Sequence, residues 1–140
     1  MILNTITAIK TDSDIFSGQA ELFKALAHPA RIQLLLLLRE GPQCVCHIEA
    51  HLGLRQAYIS QQLAVLREAG LVEVTKEGWN VYYSVTKPEI FTALDAAQAM
   101  TGVTKSPEFT EVSHCPCPKC SVKNTPITEN SAVKEQKCYT

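Results

Sequence analysis

The chain lacks any long apolar run: its longest, Leu34 to Leu38, is far short of the roughly 18 residues needed to span a bilayer and lies between Arg31 and Arg39. A membrane-spanning helix is therefore not expected. The opening segment, Met1 to Lys10, has no charged leader followed by an apolar stretch and a small-residue cleavage site, so nothing there reads as a secretory signal. These two absences point to a cytoplasmic protein. No glycine-rich loop of the phosphate-cradling type is present, and no nucleophile, base and orienting group fall together in the sequence. That argues against an enzyme. A bulk excess of positive charge is also missing: the formal net charge is -1 and the sequence pI about 6.4. Any binding to nucleic acid must rest on local placement of side chains and not on a large field.

With 140 residues and 46% hydrophobic content, the chain can bury one modest core. It contains six cysteines, five of them in two tight groups, Cys44 with Cys46 and Cys115 with Cys117 and Cys120, while Cys138 stands alone. A reducing compartment disfavours structural disulfides, which leaves metal binding or redox sensing as the reasons for clustering.

Apolar periodicity predicts a helix over 14–27, carrying Ile15, Phe16, Leu22, Phe23 and Leu26 behind the capping side chains of Asp12, Ser13 and Asp14. A second helix starts at Pro29 and runs to Gly41-Pro42; its five consecutive leucines imply burial on every side. A short helix from Cys44 to Leu52, closed by Gly53, and another from Arg55 or Gln56 to Gly70 form a helix-turn-helix. In the latter, Ile59, Leu63 and Leu66 face inward and leave Gln56, Tyr58, Ser60 and Gln61 near the exposed N-terminal end. Leu71 to Thr75 and Asn80 to Val85 read as strands flanking the connection Lys76 to Trp79, a hairpin wing. Thr86 and Glu89 match a capping box ahead of a last helix with Ile90, Phe91, Leu94 and Ala97 as its apolar stripe, ending near Gly102. The expected organisation is an N-terminal arm over 1–13, a mainly α winged helix-turn-helix with a small β-hairpin over 14–102, and a flexible cysteine-containing tail over 103–140, where periodicity fades among prolines.

Cys44 and Cys46 sit at a helix start, where the macrodipole favours a thiolate. Residues i and i+2 point in nearly opposite directions on an ideal helix, so both sulfurs can hold one ion only if the first turn rearranges. Such a rearrangement would disturb the helix that supports the base-reading one, a switch. The other reading makes the pair two buried small hydrophobes. Cys115, Cys117 and Cys120, interleaved with Pro116 and Pro118, form a second cluster, either binding alone or completing the Cys44 and Cys46 pair within or across a dimer. Three sulfurs are easier to assemble than the four ligands of structural zinc, and three suit trivalent arsenic or antimony, with cadmium, lead or zinc as alternatives. His47 and His51, four apart, could add nitrogen ligands but read more simply as surface residues. For DNA, Gln56, Tyr58, Ser60 and Gln61 suit base edges, and Arg55 and Lys76 suit phosphates.

The order helix, helix, helix-turn-helix, hairpin, helix resembles the arsenic-repressor (ArsR/SmtB) family of winged-helix metalloregulators over roughly residues 14–101. The resemblance is carried by Leu26-Ala27-His28-Pro29-Ala30-Arg31, by Cys44-Val45-Cys46, similar to the family's thiolate box, by Ile59 to Val72 and by Glu77 to Tyr83. It implies a homodimer that binds a palindromic operator in double-stranded DNA and releases it when a metal or metalloid binds. Glu49 stands where some arsenic-sensing relatives carry a third cysteine, so a third ligand must come from elsewhere. The last helix offers Asp95 and Gln98 without a histidine, unlike zinc-sensing relatives, and Arg55 replaces a small capping residue. Two other readings are a repressor of the same fold that senses thiol oxidation or persulfidation, and a metal-delivery or thiol-redox module that does not read DNA.

Overall fold

The computed structural model of the protein describes residues 12–103 and Phe109, with side chains from Asp14 onward. The arm expected over 1–13 and the tail expected over 103–140 therefore lie, apart from Asp12, Ser13, Val103 and Phe109, outside the described residues.

Five helices accompany a small three-stranded sheet. They run in the order α1 (Asp12–Leu26), α2 (Pro29–Leu38), β1 (Gln43–Cys44), α3 (Val45–Leu52), α4 (Gln56–Glu68), β2 (Val72–Glu77), β3 (Asn80–Val85) and α5 (Glu89–Thr101). The five leucines of α2 are all buried, as their uninterrupted run requires, and form the centre of a core shared with Ile48, Ile59, Leu63, Leu66 and Leu71. Removing each such side chain from water stabilises the fold by roughly 1.5 to 3 kcal/mol before entropy is counted. Pro29 opens α2 in the first turn, and the Nδ1 atom of His28 accepts a hydrogen bond from the Ala30 amide at 3.2 Å, so His28 is the N-cap. The helix stops at Leu38, earlier than the sequence predicts, and Arg39 and Glu40 continue only as a turn.

The sheet contains a strand that periodicity does not reveal. Gln43 and Cys44 pair antiparallel with β3, opposite Tyr83 and Tyr82, giving the order β1-β3-β2. Cys44 is thus extended (φ -83°, ψ 159°) and precedes α3 instead of starting it, a correction to the helix expected from Cys44. A two-residue strand has no period to detect; the open edge of β3 recruits it. The hairpin is also longer than expected. Its ladder continues through Lys76 opposite Val81 to Glu77 opposite Asn80, leaving a two-residue turn, Gly78-Trp79, with Gly78 at φ +60° as a primed turn demands.

The capping box does not form. Pro88 is the N-cap of α5, and the Thr86 hydroxyl instead donates to the Gly70 carbonyl at 2.6 Å, while the Thr86 amide donates to Leu71 at 3.0 Å. Thr86 closes the base of the hairpin onto the end of α4. Ile90 and Leu94 are buried, Phe91 is half-buried, and Ala97 is exposed, outside the expected stripe. Ile15, Phe16 and Phe23 on α1, with Met100 and Val103 at the end of α5, are exposed apolar residues. No described helix is long and apolar enough to cross a membrane.

Candidate nucleic-acid interface and thiol site

Helix α4 is held by its apolar stripe: Ile59, Leu63 and Leu66 are fully buried. Its first turn begins with Arg55 as an extended N-cap whose carbonyl accepts from the Ile59 amide at 3.0 Å, so the helix starts where expected even without a small capping residue. By the 100° step of a helix, Ala57 and Gln61 stand opposite the buried stripe, with Gln56 and Ser60 on one flank and Tyr58 and Gln62 on the other. Accessibility agrees: Arg55, Ala57 and Gln61 are exposed, while Gln56, Tyr58, Ser60 and Gln62 are half-buried.

The Tyr58 and Gln62 flank is tied to the scaffold. With Nδ1 of His28 acting as acceptor, the ring proton lies on Nε2, which donates toward the Tyr58 hydroxyl at 3.4 Å. Arg31 donates through Nε to the Ala25 carbonyl, through one terminal nitrogen to Lys24 at 3.2 Å, and through the other to Oε1 of Gln62 at 3.1 Å. One guanidinium therefore satisfies the C-terminal carbonyls of α1 and fixes the side of α4. The face turned away from these ties comprises Arg55, Gln56, Ala57, Ser60 and Gln61. Glutamine there can pair bidentately with adenine, serine can bond either base edge, and Ala57, which the sequence reading passed over, can pack on a thymine methyl. A helical wheel drawn from the buried stripe would have found it. Lys76, on the wing strand β2, is exposed and available to a phosphate.

The two thiols of the pair lie at the start of α3, which packs on α4. Cys44 is 1% exposed within β1 and Cys46 half-buried in the first turn of the helix, so the two differ in both backbone and environment. Among the described residues no three His, Cys, Asp or Glu side chains are placed together to hold a metal ion. Cys115, Cys117 and Cys120 lie outside the described residues. Further along α3, His47 and His51 have ring centroids 4.2 Å apart, and Phe109 meets His51 edge-on at 6.2 Å, packing against the core from beyond α5.

A charge pair joins α2 to α5. Arg39 donates from both terminal nitrogens to the two oxygens of Asp95, one bond at 2.9 Å, and stacks 4.9 Å above the Phe91 ring. The hydrogen bond from Arg39 holds the Asp95 carboxyl below its ordinary value, and Asp95 in turn raises Arg39. Both are partly exposed, so solvent screens the pair.

The family described as bacterial regulatory protein, arsR family, matches residues 28–74, the span from the cap of α2 into the wing. A biofilm growth-associated repressor of Agrobacterium fabrum is 41% identical over 81 residues, covering 58% of this chain and 69% of that protein. The crystal structure of Rv0081 from Mycobacterium tuberculosis is 39% identical, with a TM-score of 0.57, and covers 63% of this chain and 89% of that one. A solution structure from Mycobacterium bovis, described as a homodimeric winged helix-turn-helix DNA-binding domain, is 27% identical with a TM-score of 0.60 over 71% of this chain and 91% of its own.

Proposed function

The chain belongs to the arsR family of bacterial regulatory proteins, helix-turn-helix regulators of transcription and not enzymes, and on that premise we propose that it is a homodimeric repressor released from its operator by a thiophilic ion bound through Cys44 and Cys46. The observation that carries this reading is the position of the pair. Cys44 lies in the strand paired with the wing, and Cys46 lies in the first turn of the helix packed on α4. A ligand that draws the two sulfurs together must move β1, the first turn of α3, or both. A shift of β1 acts on the wing that carries Lys76, and a shift of α3 acts on the base-reading helix α4.

Trivalent arsenic or antimony is the effector of choice, since each takes three thiolates; cadmium, lead or zinc are the alternatives. Cys115, Cys117 and Cys120 supply the further sulfurs. The contact of Phe109 with His51 supports a site completed within one protomer. Cys115 follows Phe109 by six positions, an extended reach of about 20 Å, whereas α3 is only about 12 Å long. The exposed apolar residues of α1 and of the end of α5 support a second copy as partner.

In the DNA complex, Gln56, Ser60 and Gln61 read base edges, while Arg55 and Lys76 contact phosphates; Tyr58 reaches DNA only if its hydroxyl serves His28 as well. Between residues 20 and 87 the chain has seven Lys and Arg against six Asp and Glu, so affinity rests on placement and on dimer symmetry across two half-sites. Selection of a duplex from a random pool, followed by titration of the complex with arsenite, antimonite, cadmium, peroxide and polysulfide, tests the reading. Release by arsenite or antimonite that is abolished by serine at Cys44 and Cys46 supports it. Release by peroxide or polysulfide alone would instead assign the cysteines to redox or persulfide sensing, and failure to enrich any sequence would remove the DNA-binding role.

A further inference from the structure

His47 and His51 stand one turn apart on α3, with ring centroids 4.2 Å apart and ring planes inclined at 59°. Residues at i and i+4 share a helix face. With a step of about 100° per residue, both rings lie on one flank of the fully buried Ile48, whereas Cys46 falls opposite Ile48. The histidines are thus a pair in their own right, turned away from the neighbouring thiol. Both are half-buried, and the Phe109 ring meets His51 edge-on at 6.2 Å, so packing narrows the space in which the imidazoles can turn. A pair held in this way gives up less freedom on binding a ligand.

Imidazole nitrogen suits zinc, copper and nickel, ions of a different class from the thiolate-seeking metalloids. The spacing fits such an ion. Bound about 2.0 to 2.1 Å from one nitrogen of each ring, it would stand about 3.2 Å from each centroid, which sets the centroids about 4.5 Å apart at a right angle and about 5.2 Å at the tetrahedral angle. From 4.2 Å the rings need open by only about 1 Å or less, a small turn of the side chains. Among the described residues no third His, Cys, Asp or Glu joins the pair, so water fills the remaining positions of the ion.

We propose that His47 and His51 form a chelate for a divalent transition-metal ion of the nickel and zinc class, and that the bound ion locks α3 in its helical form. The bridge exists only while the two residues stand one helical turn apart. Thiolate capture asks the reverse, because drawing Cys46 toward Cys44 rearranges the first turn of α3, and His47 is the next residue in the chain. The nitrogen-bound ion therefore opposes arsenite on the same helix, and by linkage each weakens the binding of the other. This opposition rests on the reading of Cys44 and Cys46 as effector ligands; the chelate itself does not.

The test titrates the reduced full-length chain with nickel(II) by calorimetry, beside His47→Gln, His51→Gln, the double histidine variant and Cys115→Ser/Cys117→Ser/Cys120→Ser. One site should weaken by about tenfold or more in either single histidine variant, fall no further in the double one, and persist in the cysteine variant. Thermal unfolding without metal checks that the variants fold. In the parent chain, which needs no substitution, nickel should perturb the imidazole resonances of His47 and His51 before those of His28 and His114, and slow hydrogen exchange of the α3 amides. Nickel should also raise the arsenite needed to release a selected duplex by about tenfold in the parent chain and not in the histidine variants. Unchanged nickel affinity in both histidine variants, with the His47 and His51 resonances of the parent unmoved, overturns the inference whether or not arsenite releases DNA. A chelate that leaves the arsenite requirement unmoved overturns the lock. Nickel binding that needs both histidines, in a chain that arsenite does not release, would keep the chelate and remove the effector reading of the thiols.

Discussion

Cys44 lies directly opposite Tyr82 in the pairing of β1 with β3, and Tyr82 in turn lies opposite Thr75 of β2. Facing residues of an antiparallel pair have Cβ atoms only about 4.5 to 5.5 Å apart. The thiol expected to sense an ion is therefore built into the same three-stranded sheet as the wing, and both Cys44 and Tyr82 are buried there.

That burial separates the two cysteines energetically. Cys44→Ala should cost about 1 kcal/mol of stability, because it trims a side chain from a filled interior, whereas Cys46→Ala should cost less than about 0.5 kcal/mol. Urea unfolding of the reduced protein measures both, and equal midpoints for the two variants would contradict the placement of Cys44 in the sheet.

Arg31 should prove more important to the fold than its partial exposure suggests. Arg31→Met removes the donor to Lys24, Ala25 and Gln62 together, a loss of roughly 1 to 3 kcal/mol. Lysine, a point charge on a flexible stem, cannot serve carbonyls on α1 and an amide on α4 at once, so Arg31→Lys should recover half of that or less. Thermal and chemical denaturation of the two variants provide the comparison.

The Arg39–Asp95 pair sets an acid limit. Asp95 is lowered from 3.8 by its hydrogen bond to Arg39, so the stability it lends is fully present above 3.8 and is lost as pH falls through the lower native value. Asp95→Asn should consequently be less stable than the parent chain near neutral pH and equal to it once pH has fallen below the lowered native value of Asp95, with the neutral-pH gap shrinking in high salt. Urea midpoints across pH decide it; a gap that persists at low pH would assign the effect to packing.

Much of this architecture is written locally. Five leucines in a row behind Pro29 favour a helix buried on every side, Gly53 can close α3 at φ +63°, and valine and tyrosine runs around Gly78 favour a hairpin. What local pattern misses is set by distant partners. The pairing of Cys44 depends on the open edge of a strand almost forty residues away; Thr86 matches a capping pattern yet is taken by the Gly70 carbonyl; Tyr58 reads as a base-contacting residue but also meets His28. In the site, the glutamines and serine of α4 follow from the inward stripe, whereas the bridging role of Arg31 depends on the way α1 and α4 converge. Cys115, Cys117 and Cys120 lie outside the described residues, and their part in the site rests on sequence and on the contact of Phe109 with α3.

The coupling of sulfur capture to DNA release is tested most directly by operator affinity measured with and without arsenite, by anisotropy, in the reduced parent chain and in the Cys44→Ser/Cys46→Ser variant. Arsenite should weaken the parent chain's affinity by one to two orders of magnitude, equivalent to roughly 1 to 3 kcal/mol of coupling, and leave the doubly substituted chain unchanged. Equal weakening in both chains, or none in either, would contradict the account.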